Sequence, residues 1–87
     1  EMHDVLIIGC GSIGERHLRC FQKTGRARVA ACDANPTLLA TLAATYGVDT
    51  HTDWREAVRA RRFHTAVVCT PAHLHVPIAT ELLQAGH

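Results

Sequence analysis

The sequence has few aromatic residues, almost no net charge and no long apolar run, and each absence excludes a class of protein. Aromatic residues fill only 5% of the 87 positions, so aliphatic side chains and alanine have to build the core. The formal net charge is +1, which gives no electrostatic basis for binding nucleic acid or an anionic membrane surface. No apolar run approaches the ~20 residues that a membrane span needs. We therefore expect a soluble globular protein with neither nucleic acid nor a membrane as partner.

Short apolar runs alternate with helical patterns along the whole chain. Runs at 5–8, 28–32 and 65–69 predict strands buried on both faces, and 48–52 predicts a short, weak strand. Apolar spacings of three and four predict helices over 13–23, 36–46 and 54–61, with a last helix around 78–83. The order βαβαβαβα requires parallel strands joined by right-handed crossovers. We therefore predict an α/β fold, a Rossmann-type doubly wound parallel sheet with strand order 3-2-1-4.

The helix boundaries carry their own signals. Asn35 is placed to cap the start of the second helix, and Gly47 follows its last residue. Asp53 and Glu56 have the spacing of a capping box at the start of the third helix. The arginines within 59–62 predict a solvated helix end, favourably placed in the helix dipole.

A glycine-rich loop joins the first strand to the first helix. Gly9, Gly11 and Gly14 form a G-x-G-x-x-G pattern directly after the apolar strand. Gly9 permits a tight turn, Gly11 has no Cβ to keep a pyrophosphate from the backbone, and Gly14 lets the helix pack closely on the sheet. The backbone N–H groups of Ser12 and Ile13, at the helix N-terminus, would then face the phosphate charge.

Asp33 stands at the end of the second predicted strand, 19 residues after Gly14. A carboxylate about 20 residues beyond the glycine loop is expected to accept hydrogen bonds from the adenosine ribose hydroxyls. It would also repel a 2′-phosphate. The sequence therefore predicts a dinucleotide cofactor, NAD in preference to NADP.

Four cysteines and seven histidines raise two further possibilities. Cys10, Cys32 and Cys69 each end a predicted strand, so their thiols are expected near the cofactor cleft, either as small buried hydrophobes or as oxidation-sensitive groups that the cofactor protects. Cys69, His73 and His75 do not have a strong zinc spacing, and we expect no metal site. Nothing indicates a secreted disulfide framework or a signal peptide, which favours a cytoplasmic location.

Beyond the glycine loop, several segments together resemble the Gfo/Idh/MocA family, the glucose–fructose oxidoreductase and inositol dehydrogenase group. The resemblance extends over nearly the whole chain. The segments that carry it are Gly9-Cys10-Gly11-Ser12-Ile13-Gly14-Glu15-Arg16-His17, Cys32-Asp33-Ala34-Asn35-Pro36, Tyr46-Gly47-Val48, Thr52-Asp53-Trp54, Thr70-Pro71-Ala72-His73-Leu74-His75 and Leu82-Leu83-Gln84-Ala85-Gly86-His87.

The resemblance implies roles for residues after the fourth strand. Thr70 and Pro71 would line the cofactor cleft near the nicotinamide half, and His75 would lie near the cofactor or steady its loop. The chain departs from the family at Ala72, where Asn is frequent, and at His64, where acidic residues commonly precede the strand.

The resemblance also implies that this chain is an incomplete N-terminal dinucleotide-binding domain, residues 1–87, ending before a fifth strand. In the family, a following Glu-Lys-Pro segment and a second domain supply catalytic and substrate-binding groups. We therefore expect no catalytic residue in this chain and no turnover by these 87 residues alone. The full-length protein would transfer a hydride between a nicotinamide and a sugar, polyol or related hydroxyl or carbonyl substrate, and would form a homo-oligomer.

Two alternatives remain open from the sequence. One is a non-catalytic, regulatory module that senses the dinucleotide. The other is a different Rossmann reductase, similar to dihydrodipicolinate reductase or biliverdin reductase, with another second domain.

Overall fold

A computed structural model describes residues 2–70 and contains four strands and three helices. The strands are β1 (His3–Ile8), β2 (Ala27–Cys32), β3 (Asp49–His51) and β4 (Thr65–Val68). The helices are α1 (Ser12–Lys23), α2 (Pro36–Tyr46) and α3 (Trp54–Ala60). The helix predicted around 78–83 lies outside the described residues. Within residues 2–70, no helix is long and apolar enough to cross a membrane.

The four strands form one parallel sheet in the order β3-β2-β1-β4, which confirms the predicted topology. The strand β1 lies at the centre, and its residues alternate between the two faces. One face packs against α1 and α2 through Val5, Ile7, Leu18, Leu39 and Leu42. The other packs against α3 through Leu6, Ile8, Trp54, Ala57 and Phe63. Burial on both faces explains why residues 5–8 of β1 form an uninterrupted apolar run.

The second helix begins and ends where its sequence signals predict. The Asn35 side chain accepts hydrogen bonds from the N–H groups of Thr37 (3.0 Å) and Leu38 (3.2 Å). At the other end, Gly47 has φ +67° and its N–H donates to the Ala43 carbonyl. Because only glycine adopts this left-handed conformation without steric cost, Gly47 ends the helix cleanly.

The structure corrects two predictions around the third helix. The Asp53 carboxylate accepts a hydrogen bond from the Arg55 N–H, whereas the Glu56 N–H donates to the Asp53 carbonyl oxygen, so the cap lacks the predicted capping-box bond. Arg61 is not at a solvated helix end. Its guanidinium lies 3.3 Å from an Asp49 oxygen, 3.8 Å from an Asp4 oxygen and 4.8 Å from the centroid of the Phe63 ring. It thus links the amino ends of β1 and β3.

Candidate functional site

The candidate site lies at the carboxyl ends of the strands. Ile8 in β1 is in register with Cys32 in β2 and with Val68 in β4, so these three strands end side by side. The residues that follow them therefore meet at one edge of the sheet. In doubly wound sheets, ligands bind in the crevice outside these carboxyl ends.

Gly9 makes the turn out of β1 in a space that no other residue could occupy. Its φ is +88°, and a Cβ built on it would lie 2.9 Å from the Cys69 carbonyl carbon and from the Thr70 nitrogen. The Gly9 N–H donates to the Cys32 carbonyl oxygen at 2.8 Å, and the Cys69 N–H donates to the Ile8 carbonyl oxygen at 2.7 Å. The glycine loop is consequently held between β2 and the end of β4.

Gly14 and Gly11 are glycines for opposite reasons. A Cβ on Gly14 would overlap the Gly9 carbonyl oxygen and lie 3.0 Å from the Gly9 carbonyl carbon, so α1 could not approach the loop with any other residue there. Among residues 2–70, a Cβ on Gly11 would meet nothing within 4 Å. Packing against this part of the chain therefore does not require glycine at position 11. The open space beside its backbone fits the approach of a phosphate group.

The N-terminus of α1 is open for an anion. Gly11 is the N-cap residue, so no side chain caps the helix. Within residues 2–70, the backbone N–H groups of Ser12 and Ile13 have no hydrogen-bond partner. Two unpaired donors at the positive end of a helix dipole are suited to a phosphate. The Ile13 side chain is 65% exposed beside them, an apolar contact surface that the sequence did not predict.

Asp33 follows β2, as predicted, and its carboxylate is half-buried and hydrogen-bonded on both oxygens. Oδ2 accepts from the Cys10 N–H at 2.8 Å, and Oδ1 accepts from the Asn35 N–H at 2.9 Å. The Asp33 N–H in turn donates to the His51 carbonyl oxygen at 3.1 Å. Asp33 therefore connects the glycine loop, the β2–α2 turn and the end of β3. The sequence pattern gave no sign of the bond to the loop.

Two of the three cysteines near the site, Cys10 and Cys32, are packed in the protein interior, and Cys69 is half-buried. Cys10 and Cys32 are buried, and the Cys10 thiol lies 3.4 Å from the Cys32 carbonyl oxygen, to which it donates. Burial raises the pKa of Cys10 to about 11 and that of Cys32 to about 12, and it also raises the pKa of Cys69. All three thiols therefore stay protonated at neutral pH. This agrees with cysteine serving as a small buried hydrophobe.

The predicted site residues within residues 2–70 lie together. The glycine loop, Asp33 and the half-buried Thr70 lie at the same edge of the sheet. Pro71 and His75 lie outside the described residues. So does His73, which was considered above with Cys69 and His75 as a zinc ligand. Within residues 2–70, no three His, Cys, Asp or Glu side chains are grouped to hold a metal ion.

An open cavity of about 360 Å³ lies between α2, β3 and α3. Its lining residues are Pro36, Leu39, Ala40, Thr50, His51, Thr52 and Glu56. None of them belongs to the glycine loop or to the end of β4. The cavity is therefore not at the glycine loop, but it lies beside Asp33, because its lining residue His51 accepts a hydrogen bond from the Asp33 N–H at 3.1 Å.

A parallel sheet of order 3-2-1-4, with a glycine loop opening α1 and an acidic residue after β2, defines a dinucleotide-binding domain of the Rossmann type. Residues 3–87 match the oxidoreductase family with an NAD-binding Rossmann fold, Gfo/Idh/MocA, and the chain belongs to that family. The family resemblance stated from the sequence is thereby confirmed, as is NAD as the cofactor of the domain.

Solved structures share this fold. The WlbA dehydrogenase from Bordetella pertussis, crystallised in complex with NADH and UDP-GlcNAcA, is 28% identical with a TM-score of 0.91, and the match covers 100% of this chain and 27% of that one. The scyllo-inositol dehydrogenase from Lactobacillus casei, with bound NAD(H) and scyllo-inositol, is 21% identical with a TM-score of 0.89 over 99% of this chain and 26% of that one. No curated protein matches the chain. The chain thus spans about a quarter of these relatives.

Proposed function

We propose that the chain is the NAD-binding part of an oxidoreductase that transfers a hydride between the nicotinamide and a sugar, polyol or related hydroxyl compound. The observation that carries the proposal is the geometry at the start of α1. Open space beside Gly11 and two unpaired N–H groups lie at the same sheet edge as the Asp33 carboxylate. The WlbA dehydrogenase, whose complex contains a nucleotide sugar acid, supports the substrate class.

Each part of the site has a proposed contact. The Ser12 and Ile13 N–H groups bind the pyrophosphate, which approaches the backbone beside Gly11. Asp33 accepts hydrogen bonds from the adenosine ribose. From the family resemblance, we expect Thr70 and Pro71 to line the cleft near the nicotinamide half, and His75 either to lie near the cofactor or to steady its loop. When bound, the nicotinamide supplies the hydride acceptor or donor, and this chain's residues orient it.

The charge of Asp33 is the basis for preferring NAD over NADP. Two unit charges ~4 Å apart repel each other by about 4 kcal/mol at an effective dielectric constant of about 20. Because the Asp33 side chain is half-exposed, solvent and salt reduce that repulsion against a 2′-phosphate. A preference of at least about tenfold, or about 1.4 kcal/mol, is the expected remainder.

The test is a fluorescence or calorimetric titration of the full-length protein with NAD and NADP. We expect tighter binding of NAD, and a smaller difference between the two cofactors in Asp33→Ala. Asp49→Ala is the matched control, because it removes the same charge from an exposed side chain at the start of β3, where its ion-pair partner is Arg61. Equal affinities for NAD and NADP in the wild type would contradict the role of Asp33.

Turnover is proposed to need groups outside this chain. No residue of the described site is placed as a proton-transfer group for hydride chemistry. The full-length protein, which we expect to be a cytoplasmic homo-oligomer, should form NADH from NAD only when a hydroxyl substrate is present. NAD binding without turnover on any sugar or polyol would instead favour the non-catalytic, sensing alternative.

A further inference from the structure

Asp33 already has two hydrogen-bond partners in the protein before any ligand is considered. Its Oδ2 accepts from the Cys10 N–H in the glycine loop, and its Oδ1 accepts from the Asn35 N–H in the β2–α2 turn. Cys10 and Asp33 are 23 residues apart in sequence, so the bond to the loop is a tertiary contact. Hydrogen bonds to an ionised acceptor are stronger than neutral ones.

Cys10 is held from its other side as well. Its thiol is buried and donates to the Cys32 carbonyl oxygen at 3.4 Å, and the neighbouring Gly9 N–H donates to the same oxygen at 2.8 Å. The side chain and the amide of Cys10 are therefore both fixed. Within residues 2–70, the hydrogen-bond partner of the Cys10 N–H is the Asp33 carboxylate alone. The next residues along the chain are Gly11, Ser12 and Ile13, whose backbone forms the candidate anion site.

Asp33 has acceptor capacity left for a ligand. An ionised carboxylate offers about four lone-pair positions, and the two backbone N–H groups use two of them. The side chain is half-buried rather than sealed, so each oxygen can still accept from a ribose hydroxyl. Holding the loop and binding the ribose are thus compatible in one side chain.

We propose that Asp33 is a positioning residue for the glycine loop, in addition to its proposed contact with the ribose. By holding the Cys10 N–H, it fixes the direction in which the loop presents the Ser12 and Ile13 N–H groups to the pyrophosphate. This inference rests on the proposed function. If the proposal holds, replacing Asp33 weakens dinucleotide binding even when the adenosine ribose has no hydroxyl group to donate to the carboxylate.

The experiment separates the two roles by removing the ribose hydroxyls from the ligand. NAD and its 2′,3′-dideoxyadenosine analogue are titrated calorimetrically into the full-length wild type, Asp33→Ala and Asp33→Asn, with Asp49→Ala as the control. If Asp33 acts only through the ribose, its replacement changes nothing for the analogue. We expect Asp33→Ala to bind the analogue at least fivefold more weakly than the wild type does, and Asp49→Ala to bind it unchanged.

Asp33→Asn keeps the shape of the side chain and guards against a variant that does not fold. One of its terminal atoms becomes an NH₂ donor facing a backbone N–H, so we expect at least a threefold loss for the analogue and faster hydrogen exchange of the loop that contains Cys10. Unchanged affinity for the analogue in both variants would overturn the proposal. A wild type that does not bind NAD would instead overturn the proposed function, so the two failures are distinguishable.

Discussion

The two glycines at the start of α1 offer a prediction that separates folding from binding. In Gly11→Ala, the new methyl group enters open space at φ −64° and ψ −166°, a conformation that alanine adopts freely. Lower chain entropy in the unfolded state stabilises by about 0.4–1 kcal/mol, and a poorer N-cap costs a similar amount. The free energy of unfolding should therefore change by less than about 0.5 kcal/mol.

In Gly14→Ala, the methyl group would overlap the Gly9 carbonyl oxygen, which is backbone and cannot rotate away. Overpacking of this kind costs about 1–3 kcal/mol, and the better helix propensity of alanine returns about 1 kcal/mol. Displacement of α1 should therefore lower the free energy of unfolding by up to about 2 kcal/mol.

Both variants should lose NAD affinity, for different reasons. The Gly11→Ala methyl occupies the space proposed for the pyrophosphate, and Gly14→Ala moves the helix that presents the N–H donors. A hydrogen bond to a charged group contributes about 1.5–3 kcal/mol, so the loss of one contact to the pyrophosphate should weaken NAD binding about 10- to 100-fold. Urea denaturation and NAD titration of the full-length variants measure the two effects. A Gly11→Ala variant that binds NAD like the wild type would refute the assignment of the open space.

Three further predictions concern the described residues. Iodoacetamide at pH 7 should label the exposed Cys20 long before the buried Cys10. The free energy of unfolding should fall as the pH rises from 9 through about 11, because the thiolate of Cys10 forms more readily in the unfolded chain than in the folded protein. Partial burial and the hydrogen bond to Glu15 raise the pKa of Tyr46, so its absorbance should titrate above pH 10, and Tyr46 should stabilise the fold less as the pH rises further. Arg61→Ala should lower the free energy of unfolding by about 1 kcal/mol, and by less in 1 M salt. The cysteine prediction is contradicted if Cys10 and Cys20 are labelled at equal rates. The Tyr46 prediction is contradicted by a transition at or below pH 10, and the Arg61 prediction by an effect of Arg61→Ala that salt does not change.

The sheet topology could be predicted from the sequence because its signals are local and repeated. The apolar run in β1, the Asn35 cap and Gly47 each determine the structure within a few residues of themselves. Together these signals define alternating strands and helices, and few arrangements of a parallel sheet are compatible with that alternation. The position of Asp33 could be predicted for the same reason, since the end of β2 fixes it.

The contacts that the sequence did not reveal are all between distant positions. The bond from the Cys10 N–H to Asp33 requires β1 and β2 to be in register, and the pairing of Arg61 with Asp4 spans 57 residues. From the sequence alone, arginines at a helix end are expected to be exposed to solvent. The sequence does not show that the fold places the Asp4 and Asp49 carboxylates beside Arg61. The predicted capping box at Asp53 was wrong because of a local detail. The Asp53 carboxylate accepts a hydrogen bond from the Arg55 N–H and not from the Glu56 N–H, which is one residue further along the helix.

Hydrogen–deuterium exchange with mass spectrometry is the most direct test that the start of α1 holds the cofactor. The N–H groups of Ser12 and Ile13 have no partner within residues 2–70, so their peptide should exchange quickly in the free protein. Saturating NAD should slow that exchange markedly, while a peptide from α3 should stay unchanged. Protection absent from the glycine loop, or confined to the cavity lined by His51 and Glu56, would contradict the account.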